Sequence, residues 1–173
     1  MTRSVGLSLW LQPSGQLYDE LSKTISQLSK KYGAPVFPPH VTLLGDLIGD
    51  EKEITSQAQQ LASRVQPFQI TLTTIDYLDA YFRCLFIRAE ETPALLQANR
   101  IARSVFHREN DPSFMPHLSL LYANLEVETK QQIFKTIGRE WAKAFPVNSI
   151  HLLSCDGEPK DWYRVQEFEI PSR

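Results

Sequence analysis

The chain has 173 residues, 42% hydrophobic and 22% charged, with a formal net charge of −2. That length suits one domain or two small fused lobes, and the charge excludes the global basic field that holds long nucleic acid. Cys84 and Cys155, the only cysteines, are too few for a disulfide scaffold and read as reduced thiols of a cytoplasmic protein.

The first strand runs to about Leu11. Val5, Leu7, Leu9 and Leu11 share one face, and Ser4, Gly6, Ser8 and Trp10 the other, which predicts a half-buried strand rather than a signal peptide. No run reaches transmembrane length, so no membrane partner is expected. Leu17, Leu21, Ile25 and Leu28 predict a helix from about Gly15 to Lys31, with Ser14 as cap and Gly33 as stop. Residues 34–39 hold three prolines and form an extended loop, after which His40 opens the second strand. Asp50, with Glu53 three residues on, caps a helix striped by Ile54, Ala58, Leu61 and Val65, and Pro67 ends it.

Phe68–Tyr77 and Tyr81–Ala89 read as a hairpin around Asp79-Ala80. Thr92-Pro93 starts the third helix, with Leu95, Ile101, Val105 and Phe106 facing inward. A polar loop over 108–114 leads to a strand from His117 to about Tyr122. Ile133, Ile137 and Trp141 predict a fourth helix over Glu126–Lys143, broken by Pro146. Val147–Ser154 and Asp161–Ile170 are the last strands.

One hexapeptide occurs twice in this order: PHVTLL at 39–44 and PHLSLL at 116–121. Two of the four histidines sit in it, 77 residues apart. Trp10 lies 30 residues before His40, and Ile87 lies 30 before His117. Strand, helix, Pro-His strand, helix, strand therefore appears once before residue 77 and once after. The expected fold is α+β and duplicated: one domain over 1–173, made of two pseudo-symmetric lobes. Two antiparallel sheets face a central cleft, with helices outside.

On a strand, His40 shares a face with Thr42, and His117 with Ser119. Two imidazoles near neutral pH can hold opposite protonation states, so one takes a proton while the other gives one. Hydroxyls beside them would donate to non-bridging phosphate oxygens. That combination suits displacement at a phosphodiester without a metal. Duplication alone could also keep both histidines as structural residues, and the residues leave that alternative open.

The paired motifs resemble the twin His-x-Thr/Ser signature of the two-histidine phosphoesterase superfamily. LSLWLQP, GAPVFPPHVT, YFRCLF and MPHLSLLYANL are similar to stretches of its eukaryotic cyclic phosphodiesterases. The resemblance implies a two-lobed fold with a cleft and no cofactor. It implies opening of ADP-ribose 1″,2″-cyclic phosphate to ADP-ribose 1″-phosphate, and of nucleoside 2′,3′-cyclic phosphates to 2′-phosphates, linked to tRNA splicing. It makes His40 and His117 the catalytic pair, Thr42 and Ser119 the phosphate-binding hydroxyls, and Tyr122, Trp10 and Phe82 further substrate-binding residues. Tyr122 reaches the site only if its strand ends or bulges there, since a plain strand sends it to the other face. Arg83 stands where the family can carry a neutral polar residue.

The expected partner is a small nucleotide bearing a cyclic phosphate, bound by a monomer. The alternatives are a superfamily enzyme acting on RNA ends or 2′,5′-linked oligonucleotides, and a non-catalytic nucleotide-binding module. His107 and His151 read as structural. Asp46 and Asp50 could suggest a metal with His40, but no matching carboxylates follow His117, so no metal is expected. Cys84 has no base nearby in sequence and is not a nucleophile candidate.

Overall fold

In the computed structural model, which describes residues 3–172, strand β1 (Leu7–Leu11) leads through α1 (Gly15–Tyr32) into β2 (Val41–Leu47). Then follow α2 (Glu51–Arg64), β3 (Phe68–Asp76), a 3₁₀ turn at Tyr81–Arg83, β4 (Leu85–Ala89), α3 (Pro93–Val105) and β5 (His117–Leu121). The chain closes with α4 (Val127–Ile137), β6 (Glu140–Val147), β7 (Ser149–Ser154) and β8 (Tyr163–Glu169). Met1, Thr2 and Arg173, the ends of the expected 1–173 span, lie outside the described residues.

All strand pairs are antiparallel, in the order β6-β3-β4-β5-β2-β1-β7-β8. Reading outward from the centre, β5-β4-β3-β6 mirrors β2-β1-β7-β8. The two expected antiparallel sheets are thus two four-stranded halves, joined into one sheet by a single pair, Val41 with Leu118.

Start and stop signals act locally as their chemistry requires. Asp50 accepts the Glu53 N–H at 3.0 Å, and Thr92 accepts the Leu95 N–H at 3.3 Å. Gly33 ends α1 at φ 63°, its N–H bonded to the Ser29 carbonyl. Ser14 occupies the first cap position, but its side chain makes no cap bond.

Three sequence expectations change. The strand expected over Tyr81–Ala89 begins only at Leu85, behind the Tyr81–Arg83 turn. The fourth helix stops at Ile137, and Glu140–Val147 is an edge strand paired with β3 from Phe68–Val147 to Thr74–Glu140. Ile133, Ile137 and Trp141 do share helical spacing. Gly138, at φ 80°, ends the helix, and beyond it burial alternates with period two, Phe145 and Val147 in, Ala144 and Pro146 out. Pro146 is tolerated because an edge strand can leave a position without a donor. Strand β1, expected to be half-buried, is buried on both faces. Its leucines enter the main core while Trp10 packs with Leu153, Cys155 and Trp162.

The main core lies between sheet and helices: α1 packs on β5, α3 on β2 and β3, and α2 on β7 and β8. Asn99 of α3 donates to the Leu43 carbonyl of β2 at 2.8 Å and locks that helix to the motif strand. Among the described residues no helix is long and apolar enough to cross a membrane.

Candidate active site

The Val41–Leu118 pair stands one residue after each motif histidine. One step to either side, an antiparallel register sets His40 across from Ser119, and Thr42 across from His117. Each imidazole therefore faces the hydroxyl of the other motif copy as well as the one beside it in its own strand. All four side chains line one cleft of about 580 Å³, together with Trp10, Phe82 and Tyr122.

Both histidines are held alike. His40 Nδ1 lies 2.7 Å from the Pro38 carbonyl, and His117 Nδ1 lies 2.9 Å from the Met115 carbonyl. A carbonyl only accepts, so each Nδ1 carries a proton and each neutral Nε2 keeps its lone pair. The extended proline-rich approach to each strand puts that carbonyl two residues back.

The neighbours differ. Trp10, paired across the strands with Thr42, stacks flat on the His40 ring at 3.4 Å and 3°. Its indole N–H donates to Ser8 Oγ at 3.0 Å. In the other half Phe86, paired with Ser119, meets the His117 ring edge-on at 5.1 Å and 63°. The counterpart of Trp10 is thus Phe86, not Ile87: both halves carry the same register shift just before this residue, and the chain from Phe86 to Ser119 is one residue longer than that from Trp10 to Thr42.

His40 is 5% exposed, and this burial pushes its pKa down to about 3, against the raising effect of the Pro38 carbonyl. His117 is less enclosed. Burial lowers its pKa too, and the charges of Arg83 and Arg88 add to this. Arg88 lies directly across the strands from His117 and is bonded to Asp76 at 2.6–2.7 Å.

Ser119 donates to the Phe82 carbonyl at 3.0 Å. Strand β5 ends at Leu121, which frees Tyr122 to turn into the cleft. The Tyr122 hydroxyl bonds Ser119, and burial raises its pKa, so it remains a neutral phenol. Tyr122 stacks on Phe37 at 3.7 Å and meets Phe82 edge-on at 5.1 Å. Trp162 touches both Trp10, at 5.8 Å, and Tyr122, at 6.1 Å. Phe37, Phe86 and Trp162 were not singled out from sequence. Only the position of Phe37, beside the Pro-Pro-His step, offered a signal.

The remaining histidines lie elsewhere. His107 is exposed at φ 56° just past α3. His151 is buried on β7, where Arg164 donates to its Nδ1 at 3.2 Å and Ser149 lies 3.2 Å from its Nε2. Burial raises the pKa of both cysteine thiols, that of Cys155 to about 12, which leaves them unreactive. Among the described residues no three His, Cys, Asp or Glu side chains converge as a metal site would require.

The fold and the paired histidine–hydroxyl groups agree with the resemblance to the two-histidine phosphoesterases. The family model for cyclic phosphodiesterase-like proteins matches residues 5–170, and the chain belongs to that family and is an enzyme of that type. It is 26% identical over 157 residues to the cyclic phosphodiesterase of Arabidopsis thaliana, covering 88% of this chain and 87% of that one. It is 29% identical over 153 residues to a 2′,3′-cyclic-nucleotide 3′-phosphodiesterase of Yarrowia lipolytica, covering 80% and 68%. Its fold matches that of Escherichia coli LigT complexed with 3′-AMP, with a TM-score of 0.67, 16% identity, and coverage of 98% and 100%.

The low pKa of His40 couples to folding. The unfolded ring takes a proton near 6.5, while the folded one refuses it until about 3. Stability is therefore full above 6.5 and falls as pH drops below it, by about 2 kcal/mol at a pH of about 5 from this residue. Urea unfolding at neutral pH and at that acid pH should show this loss in the wild type and lack it in His40→Asn. Equal losses in the two proteins would refute the coupling.

Proposed function

We propose that the protein hydrolyses 2′,3′-cyclic nucleotides and ADP-ribose 1″,2″-cyclic phosphate without a metal, the latter the cyclic ester linked to tRNA splicing. What carries this reading is the symmetric presentation of two Nε2 atoms beside two hydroxyls in one cleft. With each Nδ1–H bound to a carbonyl, each Nε2 is left to take or give one proton.

Water attacks phosphorus as one imidazole takes its proton. The bond to O3′ of the nucleotide, or O2″ of the ADP-ribose ester, breaks as the other imidazole protonates the departing oxygen. The products are the 2′-phosphate or the 1″-phosphate. Thr42 and Ser119 donate to the non-bridging oxygens, where charge accumulates. Thr42 is free to do so, since its hydroxyl has no partner among the described residues. Ser119 would exchange its bond to the Phe82 carbonyl for one to phosphate, while Tyr122 supports it from behind. Trp10 and Phe82 wall the cleft on the nucleotide side and limit the room for the base.

The two histidines take different parts. Burial keeps His40 neutral over the working pH range, the state a base needs. His117 is less buried and accepts a proton more readily, which suits the acid. Strain in the five-membered ester and a weakly held leaving oxygen leave most of the barrier to proton transfer and charge stabilisation.

His40→Ala and His117→Ala should each lose about 10²–10⁴ in kcat/KM with the far-UV spectrum unchanged. Wild-type turnover in either variant would sink the mechanism. EDTA should leave the wild-type rate unaltered; a loss restored by a divalent ion would refute metal independence. The division of labour is tested with a cyclic ester in which sulfur replaces the leaving O3′. A thiolate departs without protonation, so His117→Ala should recover most of its lost rate on this ester while His40→Ala should not. The opposite pattern would reverse the assignment.

A further inference from the structure

The cleft carries more positive charge than the reacting phosphate accounts for. Arg3, Arg83 and Arg103 line it, with Asp46 as its only carboxylate among the described residues. Arg103 is committed to the loop before His117, donating to the carbonyls of Asp111 at 2.9 Å and Pro112 at 2.6 Å. Arg108, from just outside the cleft, donates to the Asp46 carbonyl at 3.1 Å and carries its charge beside that residue. Arg88, the other cation near His117, is neutralised by Asp76. Arg3 sits at the far end, against Gly157.

Arg83 lines the cleft with His117 and its charge reaches that ring, yet its side chain has no ion pair or hydrogen bond among the described residues. It closes the 3₁₀ turn Tyr81–Arg83, directly after Phe82, whose carbonyl holds Ser119. The two differ in depth. His40 and Ser119, each 5% exposed, mark the floor where the cyclic phosphate would react, whereas Arg83 is exposed at the rim. An unpaired cation next to an imidazole that must carry a proton disfavours that proton, so it is costly unless the ligand supplies the counter-charge.

We propose that Arg83 is a specificity residue that binds a second phosphate group of the substrate, one on the 5′ side of the nucleoside whose cyclic phosphate reacts. The inference rests on the hydrolase reading above and adds the charge class of the preferred substrate. A guanidinium can meet a phosphate through two parallel N–H bonds, which would also fix the direction in which the nucleotide enters. A terminal 5′-phosphate and the phosphodiester of an oligonucleotide share this chemistry.

The test compares kcat/KM for three compounds: adenosine 2′,3′-cyclic phosphate, the same compound with a 5′-phosphate, and a diadenosine ending in a 2′,3′-cyclic phosphate. The wild type should favour the 5′-phosphorylated compound over the 5′-hydroxyl compound by about tenfold, with the preference shrinking as salt rises. Arg83→Gln should bring that ratio to about one, and Arg83→Lys should keep part of it. Arg100→Gln, on the exposed side of α3, should leave it unaltered. A matching preference for the diadenosine supports a phosphodiester ligand; a preference for the monophosphate alone supports a terminal phosphate. A wild-type ratio near one overturns the proposal. So does an equal loss on all three compounds in Arg83→Gln, which would assign Arg83 to the reacting phosphate. If the wild type turns over none of the three, the hydrolase reading falls, and this inference with it.

Discussion

One strand pair holds the site together. Val41 and Leu118 are each fully buried, and each directly follows a motif histidine. Joining them brings two segments 77 residues apart in sequence onto one floor. Antiparallel pairing also decides which groups oppose which, because a slip of one residue would turn every motif side chain to the other face. The leucines after each histidine hold the register by filling the core beneath it. The same hexapeptide thus supplies the proposed reacting groups and the hydrophobic pattern that aims them.

The second constraint is the pair of carbonyls at Pro38 and Met115. A histidine free to choose its tautomer would offer either nitrogen to the cleft. Here each Nδ1–H is spent on backbone two residues back. The prolines do this indirectly: residues before a proline avoid helical angles, so both approaches run extended and the carbonyl falls where the ring can reach it. Pre-set tautomers would save the proposed reaction the cost of reorienting its proton carriers.

Much of this was legible because it is local. The repeated hexapeptide, its hydroxyls, the caps at Asp50 and Thr92 and the α+β order are all set within a few residues of sequence. What escaped depends on contacts between distant segments. Phe86 displaces Ile87 as the counterpart of Trp10 because the connection to the motif strand is one residue longer in the second half, which a fixed spacing from the histidine does not reveal. Trp162 joins the cleft from the far edge hairpin. Strand β6 was hidden because Ile133, Ile137 and Trp141 fit a helical period, while the stop at Gly138 and the alternation at Phe145 and Val147 act over only a few residues. For Tyr122 the condition was readable from sequence, but only the structure shows β5 ending at Leu121 to meet it.

Symmetry of backbone combined with asymmetry of neighbours is what the proposed division of labour between near-identical motifs rests on. A flat indole shields His40 from water on one face, and a stack of this kind contributes about 0.5–1.5 kcal/mol beyond the area it buries. An edge-on phenyl ring leaves His117 more open, with two guanidinium groups in range. Two equal imidazoles would compete for one proton. The different aromatic neighbours separate them while the strands and the carbonyls stay alike, and the charge of Arg83 works against that separation. In the proposed mechanism the repeated residues set the chemistry, while direction and substrate preference fall to the residues at which the two halves differ.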